Sequence, residues 1–207
     1  MDFQKRIALL ATATLLFSMP GISSQRLDEA LIINPAPETQ EEEVVIEPEA
    51  EETEPMWVGK NFTPTESAVL LFLQERGITD RAALATILGN IKQESLFETR
   101  ICEGGARTGY SGCHSGGFGL IQWTTLGRYN GLGTFSRNYG LDPNSLQAQL
   151  RWMVNEVEWL QVKHIWETPG KSIDGYMRAA KRWLGWGIHG NRTVYSYQYY
   201  DALFKAE

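Results

Sequence analysis

The apolar and polar positions between residues 63 and 204 follow helical spacing, with few of the alternating runs that form strands. The clearest run predicts a helix, apolar on one side, from Asp80 to about Phe97. Its apolar positions follow the i, i+3, i+4, i+7 pattern and are Leu84, Ile87, Leu88 and Ile91. Asp80 is a residue type that commonly caps the start of a helix, which supports this boundary.

Helix-start and helix-stop residues predict four more helices. The sequence Thr63-Pro64-Thr65-Glu66 has the spacing of a capping box with proline at the first helical position, and Gly77 closes this helix. Asp142-Pro143 precedes one long, strongly amphipathic helix that reaches Leu160. Two shorter helices are predicted from about Ser172 to Leu184 and from Asn191 to Phe204. With no internal repeat, the predicted fold class is mainly α.

A glycine-rich loop separates the first two helices from the rest. Seven glycines lie between Arg100 and Gly119, together with Cys102 and Cys113. In an exported protein these cysteines are expected to form a disulfide that stabilises so short a ring by about 2 to 3 kcal/mol. The alternative is a metal site that adds His114, but no fourth ligand stands at a familiar zinc spacing. We therefore expect no metal.

The first 24 residues have the features of an export signal. Lys5-Arg6 is followed by an uncharged apolar run from Ile7 to Phe17, well short of the ~20 residues that span a bilayer. Cleavage is expected near Ser23 to Gln25. The sequence leaves open whether the segment is cleaved or kept as a membrane anchor that is later released. Any membrane contact is expected through an uncleaved signal segment alone.

Charge divides the chain into two parts. Residues 1–55 carry 3 Lys+Arg against 12 Asp+Glu, whereas residues 56–207 carry 16 against 13. We interpret residues 25–60 as a disordered, acidic linker rich in Glu and Pro, since its composition buries too little apolar surface to order itself. Residues 61–207 then form the catalytic domain. Its mild basicity suits an anionic polymer such as a cell wall and is too small to indicate nucleic acid.

One acidic residue stands at the edge of the predicted apolar helix face. At about 100° per residue, Glu94 falls only about 20° from Ile87. A carboxyl group there is partly desolvated and close to the helix C-terminus, and both effects raise its pKa. A carboxyl group that keeps its proton near neutral pH can act as a general acid in glycosidic bond cleavage. The alternative is a surface glutamate whose stem alone packs on the helix.

Four motifs, in order along the chain, resemble those of the phage tail lysozyme family, which is related to goose-type lysozymes and lytic transglycosylases. The motifs are Ile87-Leu-Gly-Asn-Ile-Lys-Gln-Glu-Ser95, Gly117-Phe-Gly-Leu-Ile-Gln-Trp-Thr124, Gln149-Leu-Arg-Trp-Met-Val-Asn-Glu156 and Arg192-Thr-Val-Tyr-Ser-Tyr-Gln-Tyr-Tyr200. The resemblance covers roughly residues 67–204. It implies a globular, lysozyme-like domain whose glycine-rich loop belongs to the active site.

The resemblance also implies roles for individual residues. Glu94 corresponds to the catalytic acid, and Gln122 to a glutamine that lines the sugar cleft opposite it. Ser95 is expected to orient Glu94 or to cap the end of its helix. Sugar rings bind to flat aromatic faces, and the candidates for this contact are Phe118, Trp123 and either Tyr195 or Trp186.

The sequence does not single out a second catalytic carboxylate. Glu103 in the loop and Glu156 near two tryptophans are the candidates. Hydrolases commonly use two carboxylates. A lytic transglycosylase needs one, because the muramic acid sugar attacks its own anomeric carbon. Hydrolase and transglycosylase therefore both stay open.

These observations predict an exported muramidase that cleaves the bond between N-acetylmuramic acid and N-acetylglucosamine in peptidoglycan. The expected location is the periplasm, the cell envelope, the medium or a virion, with no organic cofactor and no prediction of oligomeric state. Two alternatives from other classes are a glycan-binding module without turnover and an amidase or peptidase that uses Cys113 and His114. Adjacent residues in a loop point apart and rarely form a nucleophile and base pair.

Overall fold

The structure, a computed structural model, describes residues 56–113 and 117–206. The predicted export signal (1–24) and most of the predicted linker (25–55) lie outside the described residues, as does His114. Those interpretations stay predictions. Within the described part of the chain, no helix is long and apolar enough to cross a membrane.

The described residues fold mainly into α-helices, which confirms the predicted fold class. Eight helices are present in this part of the chain: α1 (Pro64–Gln74), α2 (Arg81–Ser95), α3 (Leu126–Asn138), α4 (Leu146–Met153), α5 (Val157–Leu160), α6 (Lys163–Trp166), α7 (Ile173–Leu184) and α8 (Arg192–Ala202). Two short strands, β1 (Trp57–Gly59) and β2 (Leu203–Lys205), pair antiparallel. This ribbon brings the first described residues next to the last.

Side-chain caps start the first two helices where the sequence predicts. The Thr63 hydroxyl accepts a hydrogen bond from the Glu66 N–H at 3.2 Å, and the Glu66 carboxylate accepts one from the Thr63 N–H at 2.7 Å. The Asp80 carboxylate accepts from the N–H groups of Ala82 and Ala83 at 2.9 and 3.0 Å. These bonds satisfy N–H groups that lack partners inside the helix.

Helix α2 lies at the centre of the domain. Every residue from Ala82 to Ile91 is buried, because α1, α7 and α8 surround the helix. The expectation of an apolar face on one side only was therefore wrong. Gly89 permits the closest approach of α8, since a Cβ atom there would lie 2.5 Å from the Ser196 backbone nitrogen.

Helix α3 has no counterpart in the sequence prediction. Its composition is poor in apolar residues, and only Leu132 and Ser136 are buried, so it lacks the periodic signal that marks a helix. Two of its three glycines, Gly131 and Gly133, serve close packing instead. A Cβ atom at Gly131 would lie 2.3 Å from the Trp152 ring, and one at Gly133 would lie 2.3 Å from the Tyr110 hydroxyl.

The long helix predicted through Leu160 is interrupted, and this prediction was wrong. The chain leaves α4 after Met153, and Glu156 adopts an extended conformation (φ −72°, ψ 152°) before α5 begins. The interruption turns the Glu156 carboxylate into the interior, where its partners lie. A single helix would satisfy the apolar periodicity but not this buried charge.

The folded domain begins before the predicted end of the linker. Trp57 stands opposite Lys205 in the β-ribbon, and its backbone N–H donates to the Gln74 side chain at 2.7 Å. Placing residues 56–60 in the linker was therefore wrong. Those residues are tied to α1 and to the last described residues.

The glycine-rich loop contains two short 3-10 turns, Glu103–Gly105 and Tyr110–Gly112. Cys102 and Cys113 form a disulfide with a Cα–Cα distance of 5.6 Å, which confirms the predicted pairing. The bond uses the sulfur that a Cys113 nucleophile would require. The structure therefore gives no support to the amidase or peptidase alternative.

Two glycine substitutions test the packing of α2 against α8. Gly89→Ala places a methyl group against the α8 backbone, and we expect it to lower the free energy of unfolding by about 1 to 3 kcal/mol. Gly127→Ala is the control, because no atom lies within 4 Å of a Cβ atom there. It should leave stability unchanged or raise it by up to about 1 kcal/mol. Urea unfolding measures both, and equal stabilities would contradict the close α2–α8 packing.

Candidate active site

An open cleft of about 460 Å³ runs beside the end of α2. Its walls come from the turn around Gln122, the start of α3, the start of α5 and the segment that joins α7 to α8. The lining residues are Glu94, Ile121, Gln122, Thr124, Thr125, Arg128, Glu158, Arg182, Trp183, Leu184, Gly185, Trp186, Gly187 and Arg192. The structure thus brings Glu94 and Gln122 into one cleft.

Glu94 lies at the edge of this cleft in a partly buried position. Its side chain is 15% exposed, and its carboxylate accepts a hydrogen bond from the Arg192 guanidinium. Burial raises the pKa of Glu94, while the positive charges of Arg192 and, to a smaller extent, Arg128 act in the opposite direction. Burial has the larger effect, so this carboxyl group keeps its proton to a higher pH than an exposed glutamate.

Arg192 reaches Glu94 from the first residue of α8. Its guanidinium lies 4.6 Å from the ring centre of Trp186 and also donates to the His189 carbonyl at 3.3 Å. These contacts hold a side chain that is only 6% exposed. The sequence shows Arg192 only as the first residue of a family motif, because helical spacing does not indicate which arginine contacts a carboxylate 98 residues away.

Gln122 stands in a tight turn with a backbone conformation that is rare for residues other than glycine (φ 53°). Its side-chain amide donates to the carbonyls of Ile101 and Gly119 at 3.2 and 3.1 Å. Buried Gln149 stabilises this turn, because its side-chain oxygen accepts a hydrogen bond from the Leu120 N–H at 2.8 Å. In the sequence, Gln149 stands out only as the first residue of a family motif, with no role assigned to it.

Ser95 connects the end of α2 to the same turn. Its hydroxyl donates to the Leu120 carbonyl at 2.8 Å, and the residue is buried. It therefore lies beneath the cleft, where no sugar can reach it. Of the two expected roles, this contact fits the positioning of Glu94 against the turn.

Three of the expected aromatic contacts do not fit their observed positions. Phe118 and Trp123 are fully buried, so neither ring presents a face to a sugar. Tyr195 is not among the residues that line the cleft; its ring lies 4.9 Å from the Lys92 ammonium. Trp186, the named alternative to Tyr195, does line the cleft. The two aromatic residues of the Gln122 motif, Phe118 and Trp123, therefore pack into the core and do not line the cleft.

Glu156 is a buried anchor. Its side chain is 1% exposed, and four N–H groups donate to its two oxygens: Arg128 Nη2 at 2.5 Å, Arg128 Nε at 2.9 Å, Trp123 Nε1 at 2.9 Å and Trp183 Nε1 at 3.0 Å. Burial raises its pKa, and these donors oppose the shift. Fully engaged oxygens leave Glu156 unsuited to the role of second acid.

The other expected second acid is also remote from this arrangement. Glu103 is exposed in the first 3-10 turn and does not line the cleft. Within the described residues, the carboxylate that shares the cleft with Glu94 is Glu158, one of whose oxygens lies 3.8 Å from Arg128 Nε. Glu158 lies in the short helix α5. The sequence predicted one continuous helix through this region, so it gave no sign that Glu158 lines the cleft.

The phage tail lysozyme family matches residues 64–187, which is more than half of the chain. The chain belongs to the phage tail lysozyme family. The predicted family is therefore confirmed. No curated protein and no solved structure gives a significant match.

Membership of the phage tail lysozymes indicates lysozyme-like enzymatic action on peptidoglycan. The matched region contains Glu94, the turn at Gln122 and both candidate second acids. It ends before α8. In this phage tail lysozyme, the arginine that pairs with Glu94 thus comes from beyond the matched residues.

Removal of the buried anchor should destabilise the domain. We expect Glu156→Ala to lower the free energy of unfolding by about 3 to 5 kcal/mol, because it leaves the largely buried Arg128 guanidinium and the buried N–H groups of Trp123 and Trp183 without their acceptor. Glu158→Ala is the control, since its pair with Arg128 is long and partly exposed and should contribute less than about 1 kcal/mol. Chemical denaturation measures both. If Glu156→Ala kept full stability and lost only activity, Glu156 would be catalytic.

Proposed function

We propose that the protein is a muramidase that cleaves the glycosidic bond between N-acetylmuramic acid and N-acetylglucosamine, with Glu94 as the general acid. The observation that carries this proposal is a partly buried carboxyl group, with a raised pKa, at the edge of an open cleft. An open cleft suits a polymer, because a long glycan strand extends past both ends of the site.

Glu94 would donate its proton to the oxygen of the leaving sugar. Burial raises the pKa of Glu94, so the carboxyl group holds its proton to a higher pH than an exposed glutamate does. Once the proton has left, the Arg192 guanidinium stabilises the carboxylate that forms. The same arginine thus opposes protonation in the resting enzyme and supports the ionised product of the proton transfer.

Polar and aromatic groups around Glu94 supply the means to hold a sugar. The Gln122 side-chain oxygen accepts no protein hydrogen bond among the described residues, while its amide nitrogen is engaged. That oxygen can accept from the N–H of an acetamido group. Thr124 and Thr125 add hydroxyl groups to the lining, and Trp186 adds an aromatic ring.

A lytic transglycosylase that uses Glu94 alone is the second candidate. It is supported by the positions of Glu103 and Glu156, neither of which lines the cleft. In a hydrolase, Glu158 is the residue available to activate water or stabilise the sugar cation. The two reactions therefore make opposite demands on Glu158.

The proposed location of this activity is the cell wall, reached by export or as part of a virion. The apolar run of residues 7–17 and the acidic segment before residue 56 support export of a domain held away from its attachment. A glycan-binding module without turnover is the outcome that would replace this proposal.

Glu94→Gln should abolish the release of glycan fragments while the fold is kept, because the amide oxygen still accepts the hydrogen bond from Arg192. Fragments from purified peptidoglycan are measured by mass spectrometry. Glu75→Gln, at an exposed glutamate outside the cleft, is the matched control and should retain wild-type release. Fragments that persist with Glu94→Gln, or cleaved amide bonds with either protein, would refute the proposal.

The same digests distinguish the two reactions. A hydrolase yields reducing-end sugars, and Glu158→Gln should then lower the rate by at least about a hundredfold. A transglycosylase yields anhydro sugars, and Glu158→Gln should then keep most of the activity. Anhydro products would reject the hydrolase, and reducing-end products would reject the transglycosylase.

A further inference from the structure

A second depression, which we call the basic groove, lies on the outer side of α7. It has a volume of about 330 Å³ and is lined by Ile165, Lys171, Gly175, Arg178, Ala179 and Arg182. The lining combines small or apolar residues, of which Ala179 is buried, with three cationic side chains, of which Arg178 and Arg182 are exposed. No residue with a negative charge is part of this lining.

The three cations of the basic groove have no acidic partner in the part of the chain that the structure describes. Among the described residues, none of them takes part in a salt bridge. Lys171 donates to the Thr168 carbonyl at 3.3 Å, and Arg178 makes a long contact of 3.5 Å with the Asp174 carbonyl. These weak backbone contacts leave the positive charges available to a ligand.

Ion pairing within the described residues does not account for this cluster. Arg178 and Arg182 stand four residues apart on α7, where like charges repel. The helix dipole favours a cation in the last turn, which accounts for Arg182. It does not account for Arg178, nor for Lys171, which precedes the helix. A binding function explains all three.

The basic groove adjoins the cleft that holds Glu94. Arg182 lines both depressions, so they lie on either side of one arginine side chain. A branch attached to a sugar bound beside Glu94 can reach the groove across this side chain. The peptides carried by muramic acid are such branches, and they have free carboxylates and methyl side chains.

We propose that the basic groove binds the carboxylates of the peptide branch on the glycan strand, next to the site of cleavage. Guanidinium groups match carboxylates in geometry and charge, and the apolar part of the lining accommodates short alkyl side chains. The inference rests on the proposed function, because it takes the glycan strand to occupy the cleft.

Binding by the full-length Glu94→Gln chain tests this site without turnover. Soluble glycan oligomers with intact peptides are compared by calorimetry with the same oligomers stripped of peptides by an amidase. We expect the peptide-bearing ligand to bind about tenfold more tightly. Adding Lys171→Gln and Arg178→Gln should remove this preference and leave the affinity for stripped glycan unchanged.

The control adds Arg137→Gln and Lys205→Gln instead, which removes the same charge at exposed positions outside the groove. It should keep the preference for peptide. Equal binding of the two glycans by the parent, or a preference that survives the groove substitutions, would overturn the proposal. The groove substitutions could instead weaken binding of a glycerol phosphate polymer and leave binding of the peptide-bearing glycan unchanged. That result would assign the groove to phosphodiesters and also overturn the proposal.

Failure of this inference differs from failure of the proposed function. If wild type releases no glycan fragments but the peptide preference depends on Lys171 and Arg178, peptide binding by the groove is supported and the muramidase activity is rejected. If fragments are released and no preference is found, the reverse holds. Thermal unfolding of the groove variant should match wild type, since both side chains lack strong partners.

Discussion

The shape of the cleft depends on one buried ion pair. The Glu156 carboxylate receives hydrogen bonds from α3 through Arg128, from the Gln122 turn through Trp123 and from α7 through Trp183. Three walls of the cleft thus meet at one charged group. A buried charge is tolerated only when its hydrogen-bonding capacity is satisfied, so these walls hold their positions relative to one another.

Glu94 and Arg192 form a second glutamate–arginine pair, and here the glutamate is only partly buried. Glu156 is enclosed, and both of its oxygens are engaged by N–H donors. Among the described residues, Glu94 has one arginine partner, and an open cleft lies beside it. Because its oxygens are not fully occupied by the protein, Glu94 can exchange a proton with a ligand. The contrast explains why one carboxylate holds the fold and the other is suited to chemistry.

Local sequence signals predicted the parts of the fold that local interactions determine. The caps at Thr63 and Asp80 are side-chain contacts over two or three residues, and such contacts are visible in the sequence. The break before α5 is decided by what Glu156 meets in the interior, and helix α3 by the packing of its glycines against Trp152 and Tyr110. Neither is encoded in helical spacing.

The residues of the candidate site likewise fall into those with a local sequence signal and those that join the site through tertiary contacts. Glu94 was identified because its position on a helix and its motif both have short-range signatures. Arg192 and Glu158 join the site through tertiary contacts, so only the folded chain reveals them. The wrong expectations for the aromatic residues have the same cause. The local sequence does not indicate whether the ring of Trp123, next to Gln122, lines the cleft or donates a hydrogen bond to Glu156.

The proposed general-acid role requires Glu94 to hold a proton despite the arginine beside it. Titration of the Glu94 carboxyl carbon by NMR, assigned by comparison with Glu94→Gln, measures this directly. We expect a midpoint above the ordinary glutamate value of about 4.3, since burial outweighs the charge of Arg192. A midpoint at or below that value would mean that the ion pair dominates, and Glu94 would then be unable to serve as the general acid.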